Sequence, residues 1–477
     1  MGIDVKLFAK WRRYLLISAI ISILIFIVLS PATQNLIKKK SYRSYIPASK
    51  QRPGNPEKGF KYLVEGNYIV SGVPLNIYKL SGLKGENILK RSGDNASLPY
   101  YLSAVTAPNG ERVVTPNCLH CHAQRLDGEV IIGLGNSTID FTQDFSSSTR
   151  MVGKMISLFY GADSPKSMAY KTLSDRFVTI SPQIRTEVRG VNPADNLAYI
   201  LAQYRDPVSL VWNDKPLDEI KNIPVVPTDV PAWWTMKKKH AMFYTASGRG
   251  DFSRLMMASS LLTMKNTKDA SHIDKKFPDI LAYINQIKAP KWPKKVNSDM
   301  VIQGRKLFKS DCTRCHGSYG PGGKYPNYLI SLDSIKTDPL LAEQLAGDAK
   351  EAIETYNKSW FAKGPFGATL SVESGYVAPP LDGVWATAPY LHNGSVPDLA
   401  SLLNSTLRPK YWQRSFYSYD YDFNKIGWTY KKHKHNNENN KLIYDTTKPG
   451  YGNQGHYYAD DFTDDERQAL IEYLKTL

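Results

Sequence analysis

The sequence predicts a mainly α-helical protein of two similar domains with long irregular loops, preceded by one N-terminal transmembrane helix. Three observations lead to this prediction: a short cysteine motif that occurs twice, helical segments that follow each copy, and an apolar stretch near the start of the chain. The 477 residues suffice for two domains of ordinary size, and the 42% hydrophobic content allows real cores to form. A wholly disordered chain is therefore excluded.

The apolar stretch of residues 14–30 carries no charge and follows a basic cluster formed by Lys10, Arg12 and Arg13. This layout is typical of a signal anchor or an export signal. The stretch is short for a bilayer span, so cleavage near Ser30 and a buried core helix stay open beside retention as an anchor. We favour the anchor, with residues 1–35 forming a cytoplasmic basic stub and signal anchor.

The net charge of +17 is unevenly distributed, because the first fifty residues hold nine basic side chains and one acidic side chain. Charge concentrated beside an apolar segment points to a membrane surface. No basic run elsewhere alternates with aromatic residues in the way of a single-strand binding platform. We therefore predict a membrane association and no nucleic-acid partner.

All four cysteines fall into two Cys-x-x-Cys-His strings. Two thiols one helical turn apart can add to the two vinyl groups of one haem, and the next His can bind its iron. Disulfides would not need the His, and zinc would need a further Cys or His at a fixed local spacing. The sequence thus predicts two covalent haem c groups outside the cytoplasm. The attachment and proximal residues are Cys118, Cys121 and His122 in the first string and Cys312, Cys315 and His316 in the second.

Residues 304–311 predict a short amphipathic helix that leads into the second string, with Leu307 and Phe308 on its apolar side. Before the first string, residues 107–116 instead predict a turn and an extended piece. The two strings are therefore expected in different local settings.

Three later segments, residues 196–200, 280–284 and 469–474, each predict a helix with one apolar stripe. Their expected starts are an Asn192 cap followed by Pro193, a first-turn Pro278, and a capping box at Thr463. Small c-type cytochromes close by packing a terminal helix against the helix that carries the first Cys. These segments are therefore expected to be closing helices.

The proline- and lysine-rich residues 289–295 break helix and strand alike. We place the domain boundary there, with an N-terminal haem domain over residues 45–290 and a C-terminal haem domain over residues 296–477. The first domain exceeds a minimal cytochrome, so we expect extra helical or loop structure, between residues 207 and 270. The polar residues 431–441 predict a solvated loop, with a metal site at its two histidines, His433 and His435, as the weaker alternative.

The sixth iron ligand decides between electron transfer and reaction with peroxide or dioxygen. For the second haem we favour His456, which lies in a glycine-rich loop just before the last helix, while His392, Tyr390 or a methionine stay open. For the first haem, His240, His272 and several methionines are available, but none has a comparable setting. We expect the sixth position of the first iron to be vacant.

Residues 375–397, together with both haem strings and the Gly455-His456 ending, resemble the dihaem cytochrome c peroxidase superfamily. Within it they are most similar to the branch of the secreted rubber oxygenases and their relatives. The resemblance extends from about residue 95 to the C terminus. It implies two cytochrome c-like domains, with a reactive open haem on His122 in the first and a haem on His316 and His456 in the second.

Residues 231–244 also resemble a stretch found in this branch. Here Trp233 or Trp234 could relay electrons between the haems, and Phe243 could cap the open haem face. Core packing is the alternative for all three aromatic residues. The lysines at 237–239 predict a solvated surface, or a docking face for an acidic electron donor.

These residues predict a dihaem c-type oxidoreductase that reduces hydrogen peroxide at the N-terminal haem, with electrons supplied through the C-terminal haem. The alternatives are a haem oxygenase or oxidase that uses dioxygen on an organic or protein substrate, and a non-enzymatic electron carrier. We expect a small cytochrome or cupredoxin as the electron donor and a single-pass location in a bacterial inner membrane, with the haem domains in the periplasm. A soluble periplasmic or secreted form after cleavage, and a calcium ion between the haems, stay open.

Overall fold

Helices provide most of the regular structure, as predicted, with about 38% of residues helical and 14% in strands. The computed structural model describes residues 42–217, 224–347 and 349–477. The predicted N-terminal anchor lies outside these ranges. No helix within them is long and apolar enough to cross a membrane.

The α-helices of the described residues are α1 (Pro56–Glu65), α2 (Leu75–Leu80), α3 (Leu119–His122), α4 (Ser146–Tyr160), α5 (Pro165–Ile180), α6 (Ala194–Gln203), α7 (Phe252–Met256), α8 (Thr267–Asp274), α9 (Phe277–Ile284), α10 (Ser298–Asp311), α11 (Thr313–His316), α12 (Leu332–Ile335), α13 (Leu340–Ala346), α14 (Lys350–Lys358), α15 (Leu399–Leu403) and α16 (Asp464–Leu474). Shorter 3-10 turns occupy Gly93–Ser97, Ser181–Gln183, Trp233–Lys238, Met257–Leu262, Trp360–Ala362, Val384–Ala386 and Ser405–Leu407.

The strands of the described residues are β1 (Arg43–Tyr45), β2 (Val73–Pro74), β3 (Leu102–Thr106), β4 (Arg112–Pro116), β5 (Ala123–Leu126), β6 (Glu129–Ile132), β7 (Gly248–Gly250), β8 (Tyr328–Ser331), β9 (Ala368–Leu370), β10 (Gly375–Val377), β11 (Tyr411–Arg414), β12 (Tyr421–Asp422), β13 (Gly427–Trp428), β14 (Tyr430–His433) and β15 (Tyr444–Asp445). They form small antiparallel sheets with the orders β1-β8-β10, β14-β11-β15, β2-β4-β3, β12-β13, β5-β6 and β7-β9.

Two helix crossings organise the two halves of the protein, and each crossing places a glycine against the partner helix. In the second half α10 crosses α16, where a Cβ on Gly304 would lie 1.9 Å from the carbonyl oxygen of Ala469. In the first half α1 crosses α9, where a Cβ on Gly59 would lie 1.8 Å from the carbonyl oxygen of Asp279. Only glycine permits such a close backbone approach.

All three predicted helices are present, as α6, α9 and α16, but only α9 and α16 close a half by crossing its opening helix. The capping box at Thr463 and Glu466 is confirmed. The predicted cap of α6 is wrong. Pro193 takes the N-cap position without a side-chain hydrogen bond. The Asn192 amide instead lies 3.6 Å from Cys121 Sγ.

The two haem strings follow different elements. Cys312 is the C-cap of α10, so the second string continues directly from a helix that began at the Asn297 cap. The first string instead follows strand β4, which pairs with β3 in the register Ala104 to Val114. The turn and extended piece predicted at residues 107–116 are thus confirmed. The helix that opens the first half, α1, lies far earlier in the chain and was not predicted.

The largest helical addition to the first half is the hairpin of α4 and α5, which lies before the predicted interval of residues 207–270. The described part of that interval holds the short β7 and α7, two 3-10 turns and the first turn of α8. The loop predicted at residues 431–441 is partly wrong, because β14 extends through His433 and pairs with β11.

The core of each half surrounds its haem string. Leu119 and Trp233 pack with residues of α1 and α9, including Leu63 and Ile280. In the second half, Phe308 of α10 packs with Leu470 of α16 and with Trp234 and Trp385. The neighbouring residues Trp233 and Trp234 therefore belong to different cores.

Candidate haem sites

Helix α10 leads directly into the second string, and a backbone carbonyl binds the ring of His316. The His316 ring nitrogen Nδ1 lies 2.8 Å from the carbonyl oxygen of Pro379. A carbonyl can only accept, so Nδ1 carries the proton and Nε2 keeps its lone pair. Burial also lowers the pKa of His316, which keeps the imidazole neutral. His316 is thus prepared to bind a metal through Nε2.

His456 faces His316, with a distance of 6.1 Å between the two ring centroids. Two imidazoles that bind one iron from opposite sides, at about 2.0 Å each, bring their centroids to about 6 Å apart. Burial lowers the pKa of His456 to about 3, so this imidazole is neutral as well. The structure thus brings His316 and His456 into the relation that the sequence predicts.

The backbone that carries His456 runs close to a neighbouring loop. A Cβ on Gly455 would lie 2.3 Å from the backbone nitrogen of Thr337, and the φ of Gly455 is +84°. His456 itself has a φ of 52°, and its N–H donates to the carbonyl of Ile335 at 2.9 Å. This left-handed stretch turns the imidazole towards His316.

Arg408 holds the same loop through its guanidinium group. Its Nη1 donates to the carbonyls of Asn453 and Gly455, each at 2.7 Å. Nη2 and Nε bind the carbonyls of Leu402 and Ser401 at 3.0 and 3.1 Å, respectively. The position of His456 therefore depends on a residue that sequence reasoning missed, since its partners are backbone atoms without a motif.

A cavity of about 190 Å³ lies between these histidines. Its walls are mostly apolar and also include Cys312, Cys315 and His392. An apolar cavity with two thiols and two neutral imidazoles suits a haem. The residues of the second string therefore fit the predicted group.

The two other candidate ligands of the second haem have different surroundings. His392 stacks on Tyr376 with a centroid distance of 4.1 Å, and no residue within the described ranges binds its buried Nε2. The Tyr390 hydroxyl lies 3.2 Å from the carbonyls of Val384 and Ile426. The structure places neither of them opposite His316 in the way that it places His456.

The cavity wall also holds a buried acid that the sequence did not single out. Tyr244 donates from its hydroxyl to Asp229 Oδ2 at 2.9 Å, and burial raises the pKa of Asp229 to about 7. The Tyr244 ring lies edge-on to His392 at 6.4 Å. These groups border the second site, and nothing in a short sequence window connects Asp229 with the others.

In the first string, His122 stacks on Trp233 with ring centroids 4.4 Å apart and planes 20° apart. Burial lowers the pKa of His122 to about 3, and no partner among the described residues binds its buried Nδ1. The Cys118 N–H donates to the Tyr68 hydroxyl at 3.2 Å. A neutral His beside two free thiols fits the donor set of a covalent haem.

The two histidines between the strings have surroundings of their own. The ring Nδ1 of His240 bonds to the carbonyl of Ile46 at 2.8 Å. His272 is exposed on α8. Within residues 42–217, 224–347 and 349–477, no group of three or more His, Cys, Asp or Glu side chains is placed to hold a metal ion.

The predicted aromatic residues separate into two groups. Trp233 touches His122, and Trp234 donates from Nε1 to the carbonyl of Asp382 at 2.7 Å. Phe243 instead lies beside Gly248, where an added Cβ would be 2.9 Å from its ring. The structure thus places the two tryptophans between the strings and gives Phe243 a contact in a neighbouring turn.

The lysines at 237–239 do not form the uniform solvated surface that the sequence predicts. Lys237 is exposed, whereas Lys238 binds both carboxylate oxygens of Asp382 at 2.7 Å. Lys239 lines the cavity of the second site, where burial lowers its pKa to about 8. The prediction is wrong for Lys238 and Lys239, because the fold turns both side chains inward.

Comparison with known proteins agrees with a cytochrome c-type haem domain. Residues 375–413 match the family model described as RoxA-like, cytochrome c-like, and this segment includes Pro379 and His392. The match supports the rubber-oxygenase-like branch of dihaem cytochromes, whereas membership of the peroxidase superfamily stays a prediction.

Two uncharacterised proteins of Sinorhizobium fredii are similar to this chain. One, y4iJ, is 28% identical over 255 residues, which cover 40% of this chain and 41% of the relative. The other, y4iM, is 26% identical over 294 residues, which cover 52% of this chain and 64% of the relative. The chain thus spans less than two thirds of the length of either relative.

Proposed function

We propose that the protein is a dihaem c-type oxidoreductase that reduces hydrogen peroxide at the haem of the first string. Electrons enter through the haem of the second string, supplied by a small cytochrome or cupredoxin. A location in the periplasm, anchored to the inner membrane, agrees with the need to attach haem outside the cytoplasm. One observation supports this proposal above the others, namely a short path of contacts between the two proximal histidines.

The path starts at His122, whose ring stacks on Trp233 at 4.4 Å. Trp234 follows in the chain and donates a hydrogen bond of 2.7 Å to the carbonyl of Asp382. From Asp382 the backbone leads within three residues to Pro379, whose carbonyl binds His316 at 2.8 Å. One aromatic stack, two hydrogen bonds and a short stretch of backbone thus connect the two sites.

Bound haem would supply the one-electron redox chemistry, and a haem with an open sixth position would bind peroxide or dioxygen. The protein residues divide this work between the sites. At the second site, the Pro379 carbonyl fixes the tautomer of His316, and Arg408 holds the His456 loop, as expected for a six-coordinate electron-transfer centre. At the first site, Trp233 covers one face of His122, and the described histidines that could serve as a sixth ligand lie elsewhere.

A second candidate function is the oxidation of an organic or protein substrate with dioxygen at the same first site. The RoxA-like match at residues 375–413 is consistent with either candidate. The match lies in the second half, so it bears on the electron-transfer site and leaves the reaction at the first site open. The two candidates share the path through Trp233 and Trp234 and differ in the oxidant.

A steady-state assay with the purified full chain tests the proposal. We expect peroxide to be consumed while a reduced small cytochrome is oxidised. A stable dioxygen adduct without peroxide turnover would contradict the peroxidase assignment and favour an oxygenase. If only low-spin haem is present, and neither peroxide nor cyanide changes the spectrum, the protein is an electron carrier.

The path itself is tested by Trp233→Leu. This change should slow the oxidation of the second haem by peroxide several-fold while both haem spectra stay unchanged, because the aromatic stack is lost. Trp292→Leu is the matched control, since Trp292 packs on Trp385 at 5.3 Å and lies outside the path. Equal rates in the Trp233 and Trp292 variants would show that electrons take another route.

A further inference from the structure

The hairpin of α4 and α5 carries a cluster of exposed apolar side chains in the first half of the protein. On α4, Leu158 is 82% exposed, Phe159 73%, Met151 58% and Met155 51%. Met168 on α5 is 59% exposed. Soluble surfaces rarely leave so many large apolar side chains together in water, so such a cluster marks an interaction site.

The exposed residues of α4 form one stripe along the helix. At about 100° per residue, Met151, Met155, Leu158 and Phe159 fall within an arc of about 100°. Ile156, which is buried against the protein, lies about 110° around the helix from the middle of this arc. The apolar side of the helix therefore extends beyond the part that the protein itself covers.

The neighbouring helix α2 also carries exposed apolar side chains at its end. Asn76 donates from its amide to the Tyr160 hydroxyl at 3.3 Å, which joins the end of α4 to α2. Leu80 lies one turn after Asn76 on the same face of α2 and is 82% exposed. Leu83 follows it and is exposed as well. Exposed apolar side chains thus lie on both of these joined helices.

Basic residues border this surface. Arg150 and Lys154 are exposed on α4, at the side of the apolar stripe, and α4 carries no carboxylate. Lys84 is exposed beside Leu83, and the exposed Lys79 beside Leu80 is paired with Asp94 at 3.2 Å. The nearest acids in the chain, Asp144 and Asp163, lie beyond the two ends of α4. An apolar stripe with a basic border matches the interface of an anionic bilayer.

The sequence before the described residues also indicates that this surface contacts a lipid bilayer. Eleven residues, 31–41, separate the apolar residues 14–30 from Tyr42, the first described residue. Eleven extended residues span at most about 40 Å. If residues 14–30 enter a bilayer, as the sequence predicts, Tyr42 stays within about 40 Å of the lipid surface.

We propose that α4, together with the exposed end of α2, lies on an anionic lipid surface. Leu158, Phe159, Met151 and Met155 insert among the acyl chains, while Arg150 and Lys154 contact lipid phosphates. A second copy of the chain fits less well, because a symmetric contact through this stripe would bring the same basic residues of both copies together. The inference does not depend on which oxidant the first site uses.

A spin label on the full chain tests this inference. All four native cysteines belong to the haem strings, so Leu158→Cys offers one labelling position on the surface. The protein is reconstituted into vesicles of phosphatidylethanolamine and phosphatidylglycerol. We expect the label to gain access to dissolved oxygen and to lose, several-fold, its access to a water-soluble relaxation agent.

Tyr417→Cys is the matched control, because Tyr417 is 77% exposed and lies in the second half. A label there should stay accessible to the water-soluble agent. The double variant Arg150→Ser/Lys154→Ser should weaken the burial of the Leu158 label in these vesicles, because the contacts with phosphatidylglycerol are lost. Haem spectra verify that each variant is folded.

Two results would overturn the inference. In the first, the label at position 158 stays as accessible to water as the label at position 417 in the vesicles. In the second, the label at position 158 becomes immobile without lipid as the protein concentration rises, which would assign the surface to a second copy of the chain.

Discussion

The two Cys-x-x-Cys-His strings share a motif and differ in the element that precedes it and in the partner of the histidine. The second string continues a helix, faces His456 and borders a cavity of about 190 Å³. The first follows a strand, and its His122 stacks on a tryptophan. The same motif thus stands in two settings, one with two opposed histidines and one with a tryptophan stacked on the histidine. The difference comes from residues far away in the chain.

The strongest test of this difference removes the second histidine. His456→Ala should convert the second haem from low spin to high spin, because its iron loses the sixth ligand, and should leave the first haem unchanged. Electron paramagnetic resonance of the oxidised protein measures both spin states. His392→Phe is the matched control, since it alters a histidine of the same cavity and should keep the low-spin signal. A low-spin second haem in the His456 variant would assign the ligand to another residue.

The two helix crossings allow the halves to be perturbed separately. Gly304→Ala should destabilise the second half, and Gly59→Ala the first, each by about 1–3 kcal/mol, because the added methyl meets a backbone carbonyl. Thermal unfolding followed by haem absorbance measures the change. Gly153→Ala on α4 is the control, since its nearest neighbour would be 3.4 Å away and alanine favours a helix. Unchanged stability in the first two variants would contradict the close crossings.

Arg408→Lys tests what holds the His456 loop. Lysine keeps the charge and loses the planar fork, so we expect a loss of about 2–3 kcal/mol in stability. A partly high-spin second haem should accompany it. Arg467→Lys is the matched control, because Arg467 also donates to backbone carbonyls, at Leu403 and Ala459, but does not touch residues 453–456. A similar spectral change in both variants would show that Arg408 has no specific role in holding the His456 loop.

The smallest expected effect concerns a surface contact between the halves. Glu187 binds Lys448 at 2.8 Å and Lys441 at 3.1 Å, and its side chain is 48% exposed. Glu187→Gln should therefore lower the free energy of unfolding by less than about 1 kcal/mol. Urea unfolding measures it, with Glu438→Gln, on the exposed loop that carries Lys441, as the control.

The contact of Glu187 also predicts a pH dependence. The hydrogen bond with Lys448 lowers the pKa of Glu187 below its usual value. A folded-state pKa below that of the unfolded chain adds stability above the unfolded pKa, and this stability disappears as the pH falls through the folded pKa. The difference between wild type and the Glu187 variant should therefore vanish in acid. A difference that persists there would have a non-ionic cause.

Most of the features that could be predicted depend on short sequence motifs. The two strings, the capping box at Thr463 and the glycine-rich approach of His456 each depend on residues that are close in sequence. The role of α1 could not be predicted in this way, because a whole sheet separates it from Cys118. The role of Arg408 was not predicted either, because its partners are backbone carbonyls, two on the nearby helix α15 and two on the distant loop of His456. The inward turn of Lys239 depends on the tertiary fold as well.

The strand β1 has a consequence for how the protein can be made and divided. Arg43 to Tyr45 pair with Ile330 to Tyr328 of β8, although nearly three hundred residues separate them in the chain. The ribosome makes β1 long before β8, so β1 stays unpaired until the second half of the chain has been synthesised. A fragment cut at the predicted boundary would leave one edge of β8 bare and ready to pair with another chain. The second half is therefore expected to express poorly alone and to recover when a peptide containing β1 is supplied.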